Sequence, residues 1–511
     1  MEIIQRAAEK ISNAILYGFR PEIENIQELE KLINDWKLSE TRADQIKGQL
    51  YYQGDHDIKY RRRQVIGEDG KLVDVDNLPN NHIIDNQYGK AVDLKANYLV
   101  GNPFTLDGDD EAYKDALSEI FNKRFMKVLK EAAKGCMNTG IGWFYPHYDQ
   151  DGNFVFRYFP GYEIFPIWED SEHTRLQFAI RLYIVKMWEG QQLKDVEKVE
   201  VFDKDGVHCY ILDGCSLIPD NTRDESECAY VMMKDDGDVT VNLNWERIPL
   251  IPIKYNEQEI PLLNRVKSLQ DGINVMMSDF ENNMQEDARN TILVLKNYDG
   301  ENLGEFRRNL ATYGAVKVRY DGETKGGVDT LEVKVDASNY DEILKMFKKA
   351  LIENAKSYDA KDDKIGANPN QMNIMSMYSD IDLDANDMET EFQATFEDIL
   401  WFVNAHLSNT GKGDFSKSTI DIEFNRDIMM NEGEIIDNCQ KSVGIISEET
   451  ILSKHPWVDD VSEELERLEA QRAKEVELYD PFAQEIQEEE NTNNSPGQTD
   501  RSAGRVGGVE S

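Results

Sequence analysis

Apolar residues recur at spacings of three and four along one long stretch of the chain, from Leu262 to Ala288. Such spacing places them on one face of a helix, while charged and amide side chains fill the opposite face. The apolar stripe consists of Leu262, Val266, Leu269, Ile273, Met276, Phe280, Met284 and Ala288. At ~1.5 Å per residue, the pattern predicts an amphipathic helix roughly 40 Å long, too polar to cross a membrane and in need of packing partners.

Helical periodicity also appears in four other stretches. They are residues 1–50, Ile84 to Val100, Leu117 to Met137, and Leu383 to Leu407. The second stretch ends at Gly101-Asn102-Pro103, and a glycine followed by a proline is a common signal for the end of a helix. These stretches predict helices distributed along most of the chain.

Short β-like runs occupy the region from Gly140 to about Pro261. They include Tyr145 to Tyr148, Phe154 to Phe159 and Leu182 to Met187. The residues between the first two runs, Asp149 to Asn153, are typical of a hairpin turn. Residues 51–261 are therefore predicted to form a mixed body, and the fold class of the chain is predicted to be α+β.

A small module is predicted between the long helix and a second helix that follows it. Residues 291–336 contain three strand-like runs, Ile292 to Leu295, Ala315 to Tyr320 and Leu331 to Val335, with a short helical run between the first two. Ser338-Asn339-Tyr340-Asp341 resembles a capping box that would start the second helix, residues 337–358. The chain thus goes out along one helix and returns along the other.

The C-terminal third is predicted to be a loop followed by helices. Residues 359–378 contain Gly366 and Pro369 without a sustained period, which indicates a long exposed loop. A long helix and a strand are expected in 379–432, and two helices separated by His455-Pro456 in 433–483. The acidic and then Ser/Gly/Asn-rich tail, 484–511, is expected to be disordered.

Charge and cysteine content limit the function classes. Lys and Arg number 57 against 98 Asp and Glu, a formal net charge of −41, which disfavours tight binding to nucleic-acid phosphates or to anionic lipid. The five cysteines are scattered without a CxxC pair, as is typical of reduced thiols and not of a zinc site. The segment after Met1 has no apolar core of a signal peptide, so we expect a cytoplasmic protein without an anchor.

Motifs of catalysis are largely missing from the sequence. It lacks a G-x-x-x-x-G-K-[ST] phosphate loop, an H-E-x-x-H metal motif and a G-x-S-x-G nucleophile motif, so no enzyme, cofactor or metal is predicted. The spacing Asp380, Asp382, Asp384, Asn386 and Glu391 partly fits a calcium loop, but Ala385 replaces the required glycine. We favour the acidic first turn of a helix there. Asp55-His56-Asp57 and His406 are interpreted as structural.

Several motifs in a fixed order resemble one protein family. They are Tyr51-Tyr52-x-Gly54-x-His56-Asp57-Ile58, Asp85-Asn86-Gln87-Tyr88 with Gly101-Asn102-Pro103-Phe104, and the order helix, β-module, helix, loop, long helix. Over roughly residues 45 to 480 the chain resembles the portal proteins, or head-to-tail connectors, of tailed bacteriophages of the siphophage branch.

The resemblance implies an organisation and a function. It implies an N-terminal helical segment (1–50), a wing (51–261), a stem helix (262–290), a clip (291–336), a returning stem helix (337–358), a tunnel loop (359–378), a long wing helix and strand (379–432) and a helical crown (433–483). Such proteins form a ring of usually twelve copies at one capsid vertex, through which double-stranded DNA is packaged and later ejected. Implied partners are the terminase, the major capsid and scaffolding proteins and head-completion proteins, with assembly in the host cytoplasm.

Candidate DNA contacts follow from this resemblance. In the tunnel loop they are Lys361, Lys364, Asn368, Asn370 and Gln371, and in the clip they are Arg307, Arg308, Lys317, Arg319 and Lys325. Scattered basic residues among acids are also typical of an ordinary solvated surface. The alternative function is a metal-dependent nucleic-acid-processing enzyme that uses the acidic segment 380–391.

Overall fold

The computed structural model describes residues 26–66, 70–76, 78–220, 227–234, 240–287, 292–296, 304, 327–331, 337–359, 371–426, 432–458 and 461–479. Helices and antiparallel strands occur together in these ranges, which confirms the α+β class. The described residues fall into two compact units, one within Met1–Asp362 and Met377–Ile428 and the other within Asp363–Ser376 and Met429–Ser511. The predicted tail, 484–511, lies outside the described residues.

The helices are distributed along the described chain. In order they are α1 (Ile26–Lys37), α2 (Glu40–Tyr52), α3 (Gln87–Val100), α4 (Glu111–Ile120), α5 (Lys123–Thr139), α6 (Leu263–Asp287), α7 (Ala337–Asn354), α8 (Gln371–Asn409), α9 (Glu432–Ser442), α10 (Glu448–Leu452) and α11 (Val461–Tyr479). None of these helices combines the length and the hydropathy that a membrane crossing requires.

The strands are concentrated between α5 and α6. They are β1 (Gln64–Ile66), β2 (Leu72–Asp74), β3 (Thr105–Asp107), β4 (Ile141–Tyr148), β5 (Phe154–Pro160), β6 (Ile164–Trp168), β7 (Leu176–Glu189), β8 (Gln192–Phe202), β9 (Val207–Asp213), β10 (Ser216–Pro219), β11 (Glu227–Cys228), β12 (Val231–Lys234), β13 (Thr240–Leu243), β14 (Ile251–Lys254), β15 (Ile292–Lys296), β16 (Gly327–Leu331) and β17 (Asp421–Glu423). The predicted strand-rich region is therefore confirmed.

A six-stranded sheet forms the centre of the body, in the order β10-β9-β8-β7-β6 with β11 beside β9. Alternation along β7 separates its two faces. Phe178 and Ile180 pack on one face against Leu29 and Ile33 of α1, whereas Ala179 packs on the other face in a core that includes Trp143 and Phe159 of the sheet β14-β4-β5. The sheet is thus buried on both faces around Phe178–Leu182, whereas the far ends of β7 and β8 are exposed.

Asparagine caps shift two of the predicted helix boundaries. The helix predicted from Ile84 begins at Gln87, because the Asn86 side chain accepts a hydrogen bond from the Gly89 N–H (2.7 Å). The helix predicted over Leu117 to Met137 is in fact α4 and α5, because Asn122 caps α5 by accepting from the Arg124 N–H (2.9 Å). The predictions missed both breaks because the apolar period continues across them.

The long helix and its returning partner form an antiparallel pair. The predicted helix Leu262 to Ala288 is confirmed as α6, and α7 packs against it with Phe280 and Tyr340 rings 5.1 Å apart. Gly272 permits this approach, because a Cβ there would lie 2.7 Å from the Phe347 ring. α7 already begins at Ala337, so the capping box predicted at Ser338 is wrong.

Between the paired helices, β15 pairs with β16 from Ile292 opposite Leu331 to Lys296 opposite Gly327. The strand predicted at Ile292 to Leu295 is confirmed. The last predicted strand begins earlier than expected, since β16 covers Gly327–Leu331. The strand predicted at Ala315 to Tyr320 lies outside the described residues.

The C-terminal helices depart from the prediction in two places. α8 begins at Gln371, not near Leu383, so the acidic residues from Asp380 to Glu391 lie inside the helix and not in its first turn. Three helices, α9 to α11, are found where two were expected, because Gly444 (φ 83°) and the Ser447 cap interrupt the first. Arg472 of α11 forms an ion pair with Glu448 of α10 (2.6 Å).

Candidate functional site

Four polar side chains on α6 bind backbone N–H groups in the segment that precedes α3 and in the first turn of α3. We call them the polar ladder. Gln270, Asn274, Ser278 and Asn282 are at most 1% exposed, and their side-chain oxygens accept from the backbone N–H groups of Tyr88 (2.9 Å), Asp85 (3.1 Å), Ile83 (2.9 Å) and Asn81 (2.8 Å), respectively. A buried polar group without a partner is costly, so each pair fixes part of this contact.

The regular spacing of the polar ladder arises because the repeat lengths of the helix and of the extended segment nearly match. Four residues of a helix rise ~6 Å, and two residues of an extended segment span roughly 6.6 Å. Side chains at every fourth position of α6 therefore meet backbone amides at every second position from Asn81 to Asp85. This arrangement sets the position of α6 along the body.

The Tyr51–Asp57 motif forms a second contact with α6. His56 is fully buried and stacks on Tyr51. Its Nε2 lies 2.9 Å from the Tyr51 carbonyl oxygen and must donate, so Nδ1 accepts from the Asn274 amide (2.7 Å). Burial lowers the pKa of His56, which favours the neutral ring that this arrangement requires. The structural interpretation of His56 agrees with these contacts.

Charged groups surround this buried contact. The Tyr51 hydroxyl donates to Asp271 (2.6 Å), and Lys267 bridges Asp57 (2.8 Å) and Asp271 (2.7 Å). Burial acts to raise the pKa of Asp57, but hydrogen bonds from Lys267 and Lys47 lower it to about 2. The same two aspartates raise the pKa of Lys267 despite its partial burial. Asp57 and Lys267 therefore stay ionised over the physiological range.

Asp384 of α8 is the centre of a third cluster, which joins segments distant in sequence. Its carboxylate, 5% exposed, accepts from Lys95 of α3 (2.5 Å) and from the Tyr255 hydroxyl (2.9 Å). Lys356, which follows α7, and Arg265 of α6 lie 3.4 and 3.6 Å from it. We call these five residues the Asp384 cluster.

Lys95 is the most buried charged residue of this cluster, with its side chain 2% exposed. Burial lowers its pKa to about 8, and Asp384 opposes that effect. The ammonium also donates to the Lys356 backbone carbonyl (3.0 Å). Because Lys356 has a left-handed backbone (φ 48°), this carbonyl is turned away from the end of α7 and towards Lys95.

The acidic segment of α8 is engaged by cations of the protein itself. Asp382 accepts from Tyr98 and from Arg426 (3.0 Å), Glu389 accepts from Arg426, and Asp387 pairs with Lys356 (3.3 Å). No group of three His, Cys, Asp or Glu side chains that could hold a metal ion occurs in the described ranges. The carboxylates from Asp380 to Glu391 are spread around a helix, so the enzyme alternative has no support here.

His406 also has the structural surroundings that were expected. It stacks on Phe154 at 4.6 Å, and its Nδ1 lies 2.9 Å from the Tyr148 hydroxyl. Burial lowers its pKa. The ring thus packs α8 against the β4–β5 hairpin.

The structure leaves most of the candidate DNA contacts untested. Lys361, Lys364, Asn368 and Asn370 lie outside the described residues, as do Arg307, Arg308, Lys317, Arg319 and Lys325. Gln371 is the first residue of α8, not part of a loop. The polar ladder and the Asp384 cluster, by contrast, were missed from the sequence, although the i, i+4 spacing of Gln270, Asn274, Ser278 and Asn282 was a visible signal.

Comparison with known proteins places this architecture in a family. A profile described as Phage portal protein, SPP1 Gp6-like, matches residues 29–478. The portal protein of Bacillus phage SPP1 is 30% identical over 437 residues, which cover 85% of this chain and 84% of that protein. The portal protein of Clostridium phage phiCD119 is 27% identical over 473 residues, 89% of this chain and 100% of that protein.

These matches support one function. Portal proteins are structural components of the phage capsid that form oligomeric rings. The profile and both relatives span most of the sequence, and none of the three supports the nucleic-acid-processing enzyme. The chain therefore belongs to the SPP1 Gp6-like family of phage portal proteins.

Proposed function

We propose that twelve copies of the chain form a closed ring at one capsid vertex and that double-stranded DNA passes through its centre during packaging, retention and ejection. The observation that carries this proposal is the α6–α7 pair, which leads into the β15–β16 pair and is tied to the body by the polar ladder and the Asp384 cluster. A helix pair held at a fixed position is suited to the wall of a conduit.

The proposed parts follow the chain. Residues 1–50 are the N-terminal helical segment, 51–261 the wing, 262–290 and 337–358 the stem, 291–336 the clip, 359–378 the tunnel loop, 379–432 the long wing helix with its strand, and 433–483 the crown. The start of α8 at Gln371 shortens the irregular part of the tunnel loop. In this assignment, the Asp384 cluster holds both stem helices to the long wing helix.

Weak contact with DNA is the proposed role of the loop and the clip. A channel must pass a polyanion of any sequence without holding it, and a chain of net charge −41 offers no strong attraction to phosphates. Lys361 and Lys364 would supply attraction screened over roughly 8 Å, and Asn368, Asn370 and, at the start of α8, Gln371 would supply uncharged donors. Arg307, Arg308, Lys317, Arg319 and Lys325 are the corresponding candidates in the clip.

The proposed partners are those of a portal vertex. The chain would bind the terminase and head-completion proteins through the clip, and the major capsid and scaffolding proteins elsewhere, with assembly in the host cytoplasm. The chain itself would not be an enzyme. Because the sequence lacks a phosphate loop, the terminase would supply the energy of packaging.

Charge reversal in the loop tests the DNA contact. We expect Lys361→Glu with Lys364→Glu to leave rings and capsids intact but to reduce the amount of DNA retained per particle, because like charge repels the phosphates. Lys123→Glu with Lys127→Glu, two exposed lysines of α5, is the matched control and should package normally. Normal DNA content in particles of the loop variant would contradict the channel assignment.

A further inference from the structure

The β1–β2 hairpin carries apolar side chains that are exposed among the described residues of the chain. Ile66 and Leu72 lie directly opposite each other in the two strands and are 76% and 66% exposed, and the neighbouring Val73 is 48% exposed. Among the described elements, each strand packs chiefly against the other. Because an isolated two-stranded hairpin is only marginally stable, we expect a partner to cover this face.

An apolar groove lies between α6 and α7. Its volume is about 660 Å³, and it is lined mainly by methionine, aromatic and aliphatic side chains. The principal ones are Ile83, Met276, Phe280, Met284, Tyr340 and Leu344. Met284 is 60% exposed in the single chain. Methionine side chains adapt readily to a partner's shape, which suits a groove filled only on assembly.

The hairpin and the groove lie at the same level of α6. Arg61 and Arg63, at the base of the hairpin, reach Asp279 of α6 at 3.0 and 3.7 Å, and the α6 residues of the groove extend from Met276 to Gln285. Rotation about a ring axis moves no atom along that axis, so surfaces that meet between neighbours must be at one level. The hairpin and the groove satisfy this condition.

They also lie on different sides of the helix pair. At 3.6 residues per turn, the groove residues of α6 lie from roughly 60° (Met276) through 100° (Phe280) to about 160° (Glu281) around the helix from Asp279. A cyclic ring is built from a heterologous contact, in which one surface of a copy meets a different surface of the next. Two apolar surfaces on different flanks of one stem, both exposed among the described residues, have the arrangement that such a contact needs.

Charge favours the same pairing. Arg62, 78% exposed at the base of the hairpin, forms a solvent-exposed ion pair with Asp74 (3.0 Å), and such a pair contributes little to stability. The groove is bordered by Glu281 and by Asp341, which also pairs with Lys345, and none of its described lining residues is Lys or Arg. Attraction between Arg62 at the start of the hairpin and the acidic residues at the edge of the groove would orient the apolar contact.

We propose that the β1–β2 hairpin of each copy docks in the α6–α7 groove of the next copy. This inference rests on the ring proposed above and names its contact. Ile66 and Leu72 enter the groove against Met284 and Phe280, and Arg62 faces the Glu281 and Asp341 edge. Each copy gives one hairpin and receives one, so the contact closes only in a ring.

Disulfide trapping tests the contact directly. In the full chain with Cys215→Ser and Cys228→Ser, whose thiols are the more accessible ones, Ile66→Cys with Met284→Cys should give a ladder of covalent multimers on mild oxidation. Ile66→Cys with Met346→Cys is the matched control, because Met346 is 63% exposed but lies on the other flank of α7. This pair should remain monomeric on a non-reducing gel.

A second variant tests the energy of the contact. Ile66→Ser with Leu72→Ser changes only exposed residues, and we expect the concentration needed for half-assembly to rise at least tenfold while the melting temperature of the monomer is unchanged. Trp188→Ser, also an exposed apolar residue (73%), should not alter assembly.

The outcomes separate the two proposals. Rings without the 66–284 cross-link, or a cross-link within one chain, would overturn the docking contact and leave the conduit intact. A chain that stays monomeric under every assembly condition would overturn both.

Discussion

Asp384 lies at the meeting point of residues far apart in sequence, from Lys95 in α3 to Arg265 in α6 and Lys356 after α7. Asp384 and Lys95 are both buried and form an ion pair. Without the carboxylate, the Lys95 ammonium would be an isolated charge in the interior. Removing one partner of a buried ion pair is far more costly than removing an exposed pair.

Asp384→Asn should therefore lower the free energy of unfolding by about 3–5 kcal/mol, as measured by urea denaturation. Asp387 lies one turn further along α8, is 70% exposed and pairs with Lys356. Asp387→Asn should therefore change the free energy of unfolding by less than about 1 kcal/mol. Equal effects of the two substitutions would show that the cluster is not a buried anchor.

His56 links stability to pH. Burial lowers its pKa in the folded chain below the ordinary 6.5, so the unfolded chain binds more protons in acid. The contribution of His56 to the free energy of unfolding is thus fully present above pH 6.5. It decreases as the pH falls below 6.5 towards the lower pKa of the folded chain. Protonation would place an N–H at Nδ1 against the Asn274 amide.

We expect His56→Gln to lower stability at neutral pH and to remove part of the decline in melting temperature between about pH 7 and 5. His82→Gln, which alters an exposed histidine bound to the Arg61 carbonyl, should keep that decline. The assignment to His56 would be wrong if both variants had the slope of the unaltered chain.

At the scale of elements, the polar ladder determines how α6 meets the body. Asn274 uses both ends of its amide: its oxygen accepts from the Asp85 N–H and its nitrogen donates to His56. An apolar residue at this position would remove these partners from the part-buried Asp85 N–H and from the fully buried His56 ring.

Asn274→Leu should accordingly lower the free energy of unfolding, measured by urea denaturation, by about 1–3 kcal/mol for each group that loses its partner. Ser268→Ala, at an exposed position of the same helix, serves as the control and should stay within about 0.5 kcal/mol of the unaltered chain. A small effect of Asn274→Leu would indicate that water replaces the amide.

Sequence periodicity was reliable where one strong pattern decided the element, and α6 was predicted almost to the residue. It failed where a single side chain decided the boundary, as Asn86 and Asn122 do for α3 and α5. The acidic residues after Asp380 were assigned to a first turn because their cation partners, Lys95 and Arg426, are distant in sequence. The polar ladder was missed for a related reason, since amide side chains on a helix suggest a solvated face unless the covering segment is known.

At the scale of the whole molecule, composition and family agree. The excess of acids limits adhesion to DNA, and four carboxylates of α8, those of Asp382, Asp384, Asp387 and Glu389, form internal ion pairs. The family was recognisable from the sequence because it rests on the order of several motifs, whereas the individual DNA contacts depend on residues outside the described ranges.

The most direct test of the central claim is the assembly state of the purified full-length chain, observed by electron microscopy together with native mass spectrometry. The account predicts closed rings with a central opening and a single mass twelve times that of one chain. Compact monomers at every concentration and salt, or open filaments without closure, would contradict it.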